Sequence, residues 1–282
     1  MNKIKFSVSM CVYGKDDPVW FKTAVDSILK QTLKPDEVVL VVDGPVSEKL
    51  DSVIRSYENV EGFKTVRLEV NRGHGDARRI GLENCQYEYV ALMDADDISV
   101  PDRFEKQVAV ISADPSLAVV GGNINEFIDD VENVVGSRVV PQKDADIKEY
   151  LKKRCPFNQV TAMLNKRMVE KAGGYLDWYC DEDYYLWLRL FLINSKFANI
   201  PENLVNVRVS KEMYARRGGW KYFKSEAKLQ KFMRKNRIIG FGRYLVNVTQ
   251  RLVVQVILPN KLRGWVFKKF ARKKVKDGTK EV

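Results

Sequence analysis

The sequence of 282 residues lacks the features that mark several protein classes. No apolar run approaches the ~20 residues that a membrane-spanning helix needs, and residues 1–5 lead into a strand-like stretch rather than a signal peptide. We therefore expect the body of the protein to stay in the cytosol. The four cysteines lie far apart, so no zinc or redox pair is indicated and reduced, buried thiols are expected.

Acidic residues are scarce only at the carboxyl-terminal end. Residues 1–210 hold 27 Lys and Arg against 33 Asp and Glu, whereas residues 211–282 hold 21 against 4. The formal net charge of +11 therefore comes from the tail. A basic tail on a mildly acidic body is typical of contact with nucleic acid, anionic lipid or diphosphate groups.

Two periodicities alternate along the first half of the chain. Apolar stretches predict strands at 6–12, 37–42, 66–70 and 89–93, and helical spacing predicts helices that begin near 17, 47, 75 and 99–101. This alternation predicts an α/β fold with a mainly parallel central sheet flanked by helices. Ligands bind such sheets at the carboxyl ends of the strands. We therefore expect one site at the loops 13–14, 43–44, 71–75 and 94–97.

The second half is less regular. Short strands are predicted at 117–121, 124–128, 138–140 and 159–164, and helices at 144–153 and 184–193. No repeat or low-complexity linker divides the chain before about residue 210. We therefore predict one domain over residues 1–210 and a basic, helical carboxyl-terminal extension over residues 211–282.

Asp94, Asp96 and Asp97 follow directly on the predicted strand 89–93. Three carboxylates so close repel one another unless a cation lies among them, and their hard oxygens favour Mg²⁺ or Mn²⁺, which also bind diphosphates. Such a metal ion would act as a Lewis acid on a leaving diphosphate. The alternative interpretation is a solvated turn whose carboxylates cap a helix.

A second acidic stretch, residues 181–183, lies just before a very apolar helix. Its carboxylates either stabilise the amino-terminal end of that helix or supply a general base that removes the proton of an attacking hydroxyl.

Residues 71–79 place two glycines and several arginines at the start of a predicted helix. Backbone amides at a helix start, together with an arginine such as Arg78, can hold phosphate oxygens. The spacing matches neither a Walker loop nor a dinucleotide fingerprint. His74, the single histidine, is interpreted as a structural or loop residue.

Together these motifs resemble glycosyltransferase family 2, whose members have the GT-A fold. The resemblance covers about residues 6–195 and rests on the order and spacing of the segments 7–14, 26–32, 41–44, 71–73, 93–97 and 182–184. The strings 94–103 and 182–190 look like the bacterial subgroup that builds exopolysaccharide, capsule and O-antigen repeat units.

The resemblance implies a metal-dependent transferase that moves a sugar from a nucleotide diphosphate sugar, and we expect a UDP-linked galactose, glucose or N-acetylhexosamine. Tyr13 and Asp43 would contact the base, and Asp94 would contact the ribose or the sugar. Asp96 would hold Mn²⁺ or Mg²⁺ through the diphosphate, and Arg78 is a further candidate for nucleotide-sugar binding. The donor half would span about residues 1–115.

The acceptor half would span about residues 116–210, with Asp183 as the base and Glu182 beside it. Enzymes of this family usually invert the anomeric centre by one direct displacement, so no covalent nucleophile is expected. The subgroup implies a lipid-diphosphate-linked acceptor of undecaprenyl type. Arg216 and Arg217 lie in a loop that either closes over the acceptor diphosphate or has no role.

Two positions depart from the family pattern. The second aspartate that is common after Asp43 is replaced by Gly44, and the usual asparagine after the Ala-Arg pair is replaced by Arg79. Gly44 leaves one carboxylate for the base contact. Arg79 either faces the diphosphate or is solvated.

The basic tail has two interpretations. Apolar residues recur at helical spacing from Ile238 to Val256, which is typical of a helix packed on the protein's own core. Aromatic and cationic residues then interleave from Lys261 to Lys276, as in a helix that lies on anionic lipid. The second interpretation predicts an enzyme attached peripherally to the inner face of the cell membrane.

Two other functions fit parts of the sequence. A nucleic-acid-binding protein would use the basic tail, but the acidic clusters would be unexplained and no nucleic-acid-binding motif is present. A nucleotidyltransferase would also use paired carboxylates and a metal, but it should carry a glycine-rich, lysine-bearing loop that residues 12–16 match poorly. The sequence therefore favours the sugar transferase, with no nucleic-acid partner.

Overall fold

The computed structural model describes residues 4–210 and 218–259. Its first half builds four strands connected by helices. The elements are β1 (Phe6–Tyr13), α1 (Pro18–Leu29), β2 (Glu37–Asp43), α2 (Glu48–Arg55), β3 (Phe63–Arg67), α3 (His74–Asn84) and β4 (Tyr89–Met93). The strands pair in the order β3-β2-β1-β4 and all run parallel, so their carboxyl ends share one edge.

The second half extends the same sheet. Its elements are β5 (Ile98–Ser99), α4 (Arg103–Ala113), β6 (Leu117–Ile128), β7 (Asp130–Arg138), α5 (Asp144–Leu151), β8 (Met163–Asn165), α6 (Lys166–Lys171), α7 (Glu182–Leu192) and β9 (Lys196–Arg208). β8 is antiparallel to β4 and to β6. β6 runs parallel to β9, while β5 and β7 pair antiparallel at the margins. The predicted α/β fold with a mainly parallel sheet is confirmed.

The central strands form because they are covered on both faces. All seven residues of β2 are buried, as expected for a parallel strand between two helical layers. Alternate residues of β2 enter different core clusters, since Leu40 belongs to the cluster that contains Phe21 and Val39 to the cluster that contains Trp187. α1 begins where Asp17 accepts hydrogen bonds from the backbone N–H groups of the helix's first turn.

Several predicted elements are shifted or wrong. β3 begins at Phe63, three residues before the predicted strand, and the strand predicted at 138–140 ends at Arg138. The stretch predicted as a strand at 159–164 begins with a 3₁₀ turn at Gln159–Thr161. β9 was not predicted. The four cysteines are free as expected, but only Cys85 is fully buried, since Cys11 and Cys155 are partly exposed and Cys180 is exposed.

Among the described residues after the sheet are two helices, α8 (Trp220–Lys235) and α9 (Phe241–Leu252), and α9 continues as a π-helical turn over Val253–Ile257. Leu229 and Met233 of α8 are buried in the same core cluster as Trp187 of α7. α8 is therefore packed against the helical layer that includes α7.

Candidate active site

A pocket of about 440 Å³ lies at the carboxyl ends of β1, β2 and β4. Tyr13, Asp43, Asp94 and Asp96 all line it, so four predicted site residues from three loops meet in one place. The other lining residues are Cys11, Val12, Asp16, Asn71, Gly73, His74, Ala77 and Ala95. The site expected at the strand ends is therefore present as a cavity, and the roles of its residues stay predictions.

Asp43 is the buried residue that organises the loop after β3. Its two carboxylate oxygens accept hydrogen bonds from the backbone N–H groups of Arg72 and Gly73, at 2.7 and 3.0 Å. The Asn71 side chain donates to the backbone oxygen of Asp43 at 3.1 Å. Asp43 therefore fixes the 71–73 loop against the end of β2, on the wall of the pocket.

The departure at Gly44 has a steric cause. Gly44 has a φ of +85°, and a Cβ atom there would lie 2.6 Å from the backbone nitrogen of Asn71. An aspartate at this position would need both a strained backbone and a displaced 71–73 loop. The glycine is thus required by the close approach of two loops.

Arg78 and Arg79 differ in what they contact, although they are adjacent. The Arg78 side chain is buried, and its Nη2 donates to Asp94 Oδ1 at 2.9 Å while its Nε donates to His74 Nε2 at 2.9 Å. Arg79 instead pairs along α3 with Asp76 and Glu83. Of the two interpretations of Arg79, the structure favours a side chain on the helix surface rather than one that faces a diphosphate.

Carboxyl groups in the pocket repel one another when they are ionised. Burial, and then the nearby Asp94 carboxylate, raises the pKa of Asp96 to about 6. Burial likewise raises the pKa of Asp16 to about 6, and Asp16 was not among the predicted site residues. Asp97 has a different task, since its Oδ1 accepts the backbone N–H of Arg208 at 2.9 Å and thereby joins the loop to β9.

These carboxylates suit a hard divalent cation. Mg²⁺ and Mn²⁺ are held by one or two carboxylates together with phosphate oxygens, and a cation beside Asp96 would relieve the repulsion from Asp94 and Asp16 that helps to raise its pKa. In the ranges 4–210 and 218–259, no cluster of three or more His, Cys, Asp or Glu is arranged to hold a metal ion by protein ligands alone. The donor set therefore fits a metal that a bound diphosphate would share.

The second acidic cluster lies at the start of α7. Asp181 is the N-cap residue, and Glu182 and Asp183 occupy the first turn. Burial and the neighbouring Asp183 raise the pKa of Glu182. His74 Nδ1 lies 3.4 Å from Glu182 Oε1, which places this cluster next to the pocket.

Within this cluster, Asp181 has an unusual environment. It is buried, and its Oδ2 lacks a hydrogen-bond partner among the described residues. Burial and the Glu226 carboxylate raise the pKa of Asp181 to about 9, so this group is protonated at neutral pH. Glu226 of α8 pairs with Arg251 of α9.

Sequence reasoning missed two residues of this site. Asp16 follows the end of β1 by three positions, a place that the strand-end rule marks as near a ligand. His74 contacts both Arg78 and Glu182, and no local pattern signals a contact across more than one hundred residues. Arg216 and Arg217 lie outside the described residues, so their predicted contact with the acceptor stays a prediction.

The sequence was compared with known proteins. The model of the family "Glycosyl transferase family 2" matches residues 7–174. An uncharacterized glycosyltransferase of Haemophilus influenzae is 40% identical over 270 residues, which cover 96% of this chain and 100% of that protein.

Two further relatives have more specific names. The Escherichia coli UDP-Gal:alpha-D-GlcNAc-diphosphoundecaprenol beta-1,3-galactosyltransferase is 35% identical over 95% of this chain and 97% of its own length. The amylovoran biosynthesis glycosyltransferase AmsE of Erwinia amylovora is 35% identical over 94% of this chain and 98% of its own length.

Solved structures support the fold. Residues 1–349 of Staphylococcus aureus TarS in complex with UDP-GlcNAc match with a TM-score of 0.66 and 16% identity, over 89% of this chain and 73% of that chain. The mannosyltransferase PcManGT of Pyrobaculum calidifontis, in complex with GDP-Man and Mn²⁺, matches with a TM-score of 0.61 and 17% identity, over 93% and 72% of the two chains. The expected GT-A fold is confirmed.

Proposed function

Because the chain belongs to glycosyltransferase family 2, we propose that it transfers a sugar from a UDP-linked donor to a lipid-diphosphate-linked saccharide during assembly of a bacterial surface polysaccharide. The observation that carries this proposal is the pocket in which Tyr13, Asp43, Asp94 and Asp96 meet. The names of the Escherichia coli and Erwinia amylovora relatives support the donor, the diphosphoundecaprenol acceptor and the polysaccharide product.

The donor half, residues 1–115, binds the nucleotide sugar in this proposal. All residues that line the pocket lie between Cys11 and Asp96, inside that half. Tyr13 is exposed at the pocket wall and supplies a ring surface for the base, with Asp43 beside it. Asp94, held by Arg78, accepts a hydrogen bond from a hydroxyl group of the ribose or of the sugar.

Asp96 holds Mn²⁺ or Mg²⁺ together with the donor diphosphate. When bound, the metal ion supplies a Lewis acid that neutralises the nucleoside diphosphate as it leaves. The protein contributes a carboxylate that repulsion and burial make ready to accept a cation. The Mn²⁺ in the PcManGT complex supports a divalent metal in this fold.

The acceptor half, residues 116–210, supplies the base. Asp183 accepts the proton of the acceptor hydroxyl as that oxygen attacks the anomeric carbon, and the bond from that carbon to the diphosphate oxygen breaks in the same step. One displacement inverts the anomeric centre. Glu182 lies beside Asp183 and, through His74, beside the donor pocket.

Transfer by the purified full-length chain tests this function. We expect turnover with one member of a panel of UDP and GDP sugars, in the presence of Mn²⁺ and a lipid-diphosphate-linked sugar acceptor, and none without the acceptor lipid. Mass spectrometry of the lipid product measures the sugar that is added. The proposal is overturned if the panel yields no glycosylated lipid while the protein remains folded and binds UDP.

We also propose that α9 lies on an anionic membrane at the cytoplasmic face. The outward side of this helix is apolar, since Phe241, Leu245, Val253 and Ile257 are all exposed, at spacings of four and eight residues. Phe241 is 60% exposed and Ile257 is 63% exposed. Over the described residues, no helix has the length and apolarity to cross a bilayer.

The inward side of α9 is largely polar. Asn247, Arg251 and Gln255 recur at a spacing of four, and each points toward the body. Asn247 Nδ2 donates to the backbone oxygen of Lys152 at 3.0 Å and to Gln230 Oε1 at 2.8 Å, and Arg251 pairs with Glu226. A helix that turns its apolar side outward has the amphipathic form of a helix at a lipid surface.

The proposed lipid contact predicts a large effect of three substitutions. In the full chain, Phe241→Ser, Leu245→Ser and Ile257→Ser together should lower partitioning onto phosphatidylglycerol-containing vesicles by about a hundredfold, since each change removes a side chain worth about 1 kcal/mol at the interface. Vesicle co-sedimentation measures this, and added salt should weaken the remaining electrostatic part.

A control triple changes exposed apolar residues elsewhere, Val135→Ser, Val139→Ser and Leu192→Ser. This control should bind vesicles like the unchanged protein. Equal binding by both triple variants would remove α9 from the lipid contact.

A further inference from the structure

Four side chains form a continuous chain between the two acidic clusters. Asp94 accepts Arg78 Nη2 at 2.9 Å, and Arg78 Nε donates to His74 Nε2 at 2.9 Å. His74 Nδ1 lies 3.4 Å from Glu182 Oε1. This chain starts on the donor pocket and ends at the cluster that holds the proposed base.

The chemistry of the chain fixes the form of His74. A guanidinium nitrogen only donates, so His74 Nε2 is unprotonated and accepts. The single ring proton is therefore on Nδ1, the nitrogen that lies 3.4 Å from Glu182 Oε1. The Arg78 guanidinium lowers the pKa of His74 to about 4, which agrees with a neutral ring at neutral pH.

The backbone brings the two helix starts together. A Cβ atom on Gly75 would lie 3.8 Å from both the Asp177 Cα and the Glu182 Cβ, so the start of α3 lies close to the loop and the first turn of α7, with room for such an atom between them. His74 is the first residue of α3, and its ring is 57% exposed, which leaves it in reach of the pocket.

We propose that His74 is a positioning residue. Its ring is held by Arg78 and Asp94 at the donor pocket and in turn orients the Glu182 carboxylate on the acceptor side. This inference rests on the proposed function. In this arrangement Glu182 accepts a hydrogen bond from the Nδ1–H group on one oxygen, which leaves its other oxygen for an acceptor hydroxyl. The 3.4 Å separation shortens to a hydrogen bond when donor and acceptor are both bound.

The consequence is that residues at the donor pocket determine the orientation of a carboxylate in the acceptor site. Asp94, which the donor contacts in this proposal, holds Arg78, and Arg78 in turn holds the His74 ring next to Glu182. His74 itself transfers no proton in this scheme, because its only ring proton stays on Nδ1.

Two substitutions of similar size separate this role from simple packing. In His74→Gln, the amide oxygen can accept from Arg78 and the amide N–H can donate to Glu182, whereas His74→Leu can do neither. We expect His74→Leu to lower kcat/KM for the acceptor by roughly tenfold to a hundredfold, and His74→Gln to stay within about threefold of the unchanged enzyme. Glu83→Gln on the same helix serves as the control and should have unchanged kinetics.

The loss should appear as a raised acceptor KM and a lowered kcat, while the dissociation constant for the UDP sugar stays unchanged by calorimetry. His74→Gly should recover part of its kcat in added imidazole, because the site is open enough to admit the ring. Equal activity of the Leu and Gln variants would overturn the proposal, and so would a weakened donor affinity, which would make His74 a donor contact.

The failure of this inference is distinguishable from failure of the proposed function. An unchanged enzyme that transfers sugar normally, with His74→Leu as active as the control, sinks the positioning role alone. Absence of transfer by the unchanged enzyme sinks the proposed function on which the inference rests.

Discussion

Asp183→Asn is expected to lower kcat by about a thousandfold while donor binding stays unchanged, because a general base contributes roughly two to four orders of magnitude and an amide cannot take up the acceptor proton. The asparagine keeps the shape of the side chain. In the unchanged protein, the backbone N–H of Tyr184 donates a hydrogen bond to Asp183 Oδ1 at 2.6 Å. The carbonyl oxygen of the asparagine can still accept this hydrogen bond. Single-turnover transfer and UDP calorimetry measure the two effects separately.

The competing explanation is that Asp183 only stabilises the start of α7. Asp146→Asn is the matched control, since Asp146 is an exposed aspartate in the first turn of α5. Both variants should lose a similar, small amount of thermal stability, and only Asp183→Asn should lose turnover. If Asp183→Asn turns over at the rate of the control, the base lies elsewhere.

Asp96→Ala should remove most of the metal-dependent rate, a loss of about two to three orders of magnitude, because the leaving diphosphate would lose the charge neutralisation that a metal ion supplies. Chelation of the unchanged enzyme should have the same effect. The two losses should not add, since both remove the same interaction. Rates with and without chelator in each protein measure this.

The pH dependence of metal binding gives a second measurement of the same site. Since the pKa of Asp96 is about 6 in the absence of a cation, protons and Mn²⁺ compete for one carboxylate. Mn²⁺ affinity in the presence of UDP should therefore fall as the pH is lowered from 7 to 5. Asp130→Ala, an exposed residue of β7, should keep this dependence, and full activity of Asp96→Ala in chelator would contradict the metal role.

The buried parallel strands could be predicted from the sequence because their signal is local. β4 was predicted with its observed bounds, and it is a run of five buried residues. β3 was misplaced because it is half exposed, so no continuous apolar run marks it. β9 was missed because Pro201, Glu202 and its asparagines hide a strand that exists through long pairing with β6.

The candidate site divides in the same way. The strand-end rule predicts that Tyr13, Asp43, Asp94 and Asp96 meet, since the carboxyl ends of parallel strands share one edge of the sheet. The contact of His74 with Glu182 depends on how α3 meets α7, which is set by packing between halves of the chain. No spacing within either segment encodes it.

The carboxyl-terminal helix is an intermediate case. The sequence predicts an apolar stripe from Ile238 to Val256. The interpretation that it packs on the core holds for Ile238, which is buried just before α9, but is wrong for Phe241 and Leu245, which are exposed. The side of α9 that faces the body depends on its partners, since Glu226 and the backbone oxygens of Lys152 and Lys153 accept bonds from its polar side. Periodicity identifies two sides but not which of them meets the protein.

The pairing of Arg251 with Glu226 bears on the distance between the proposed membrane surface and the active site. Arg251 is on the inward side of α9, and Glu226 raises the pKa of Asp181 in the loop before α7. With α9 lying on lipid as proposed, one helix of about 10–12 Å in diameter separates the bilayer surface from that loop. Under that proposal, an acceptor whose tail stays in the bilayer would need only its diphosphate and first sugars to span the distance.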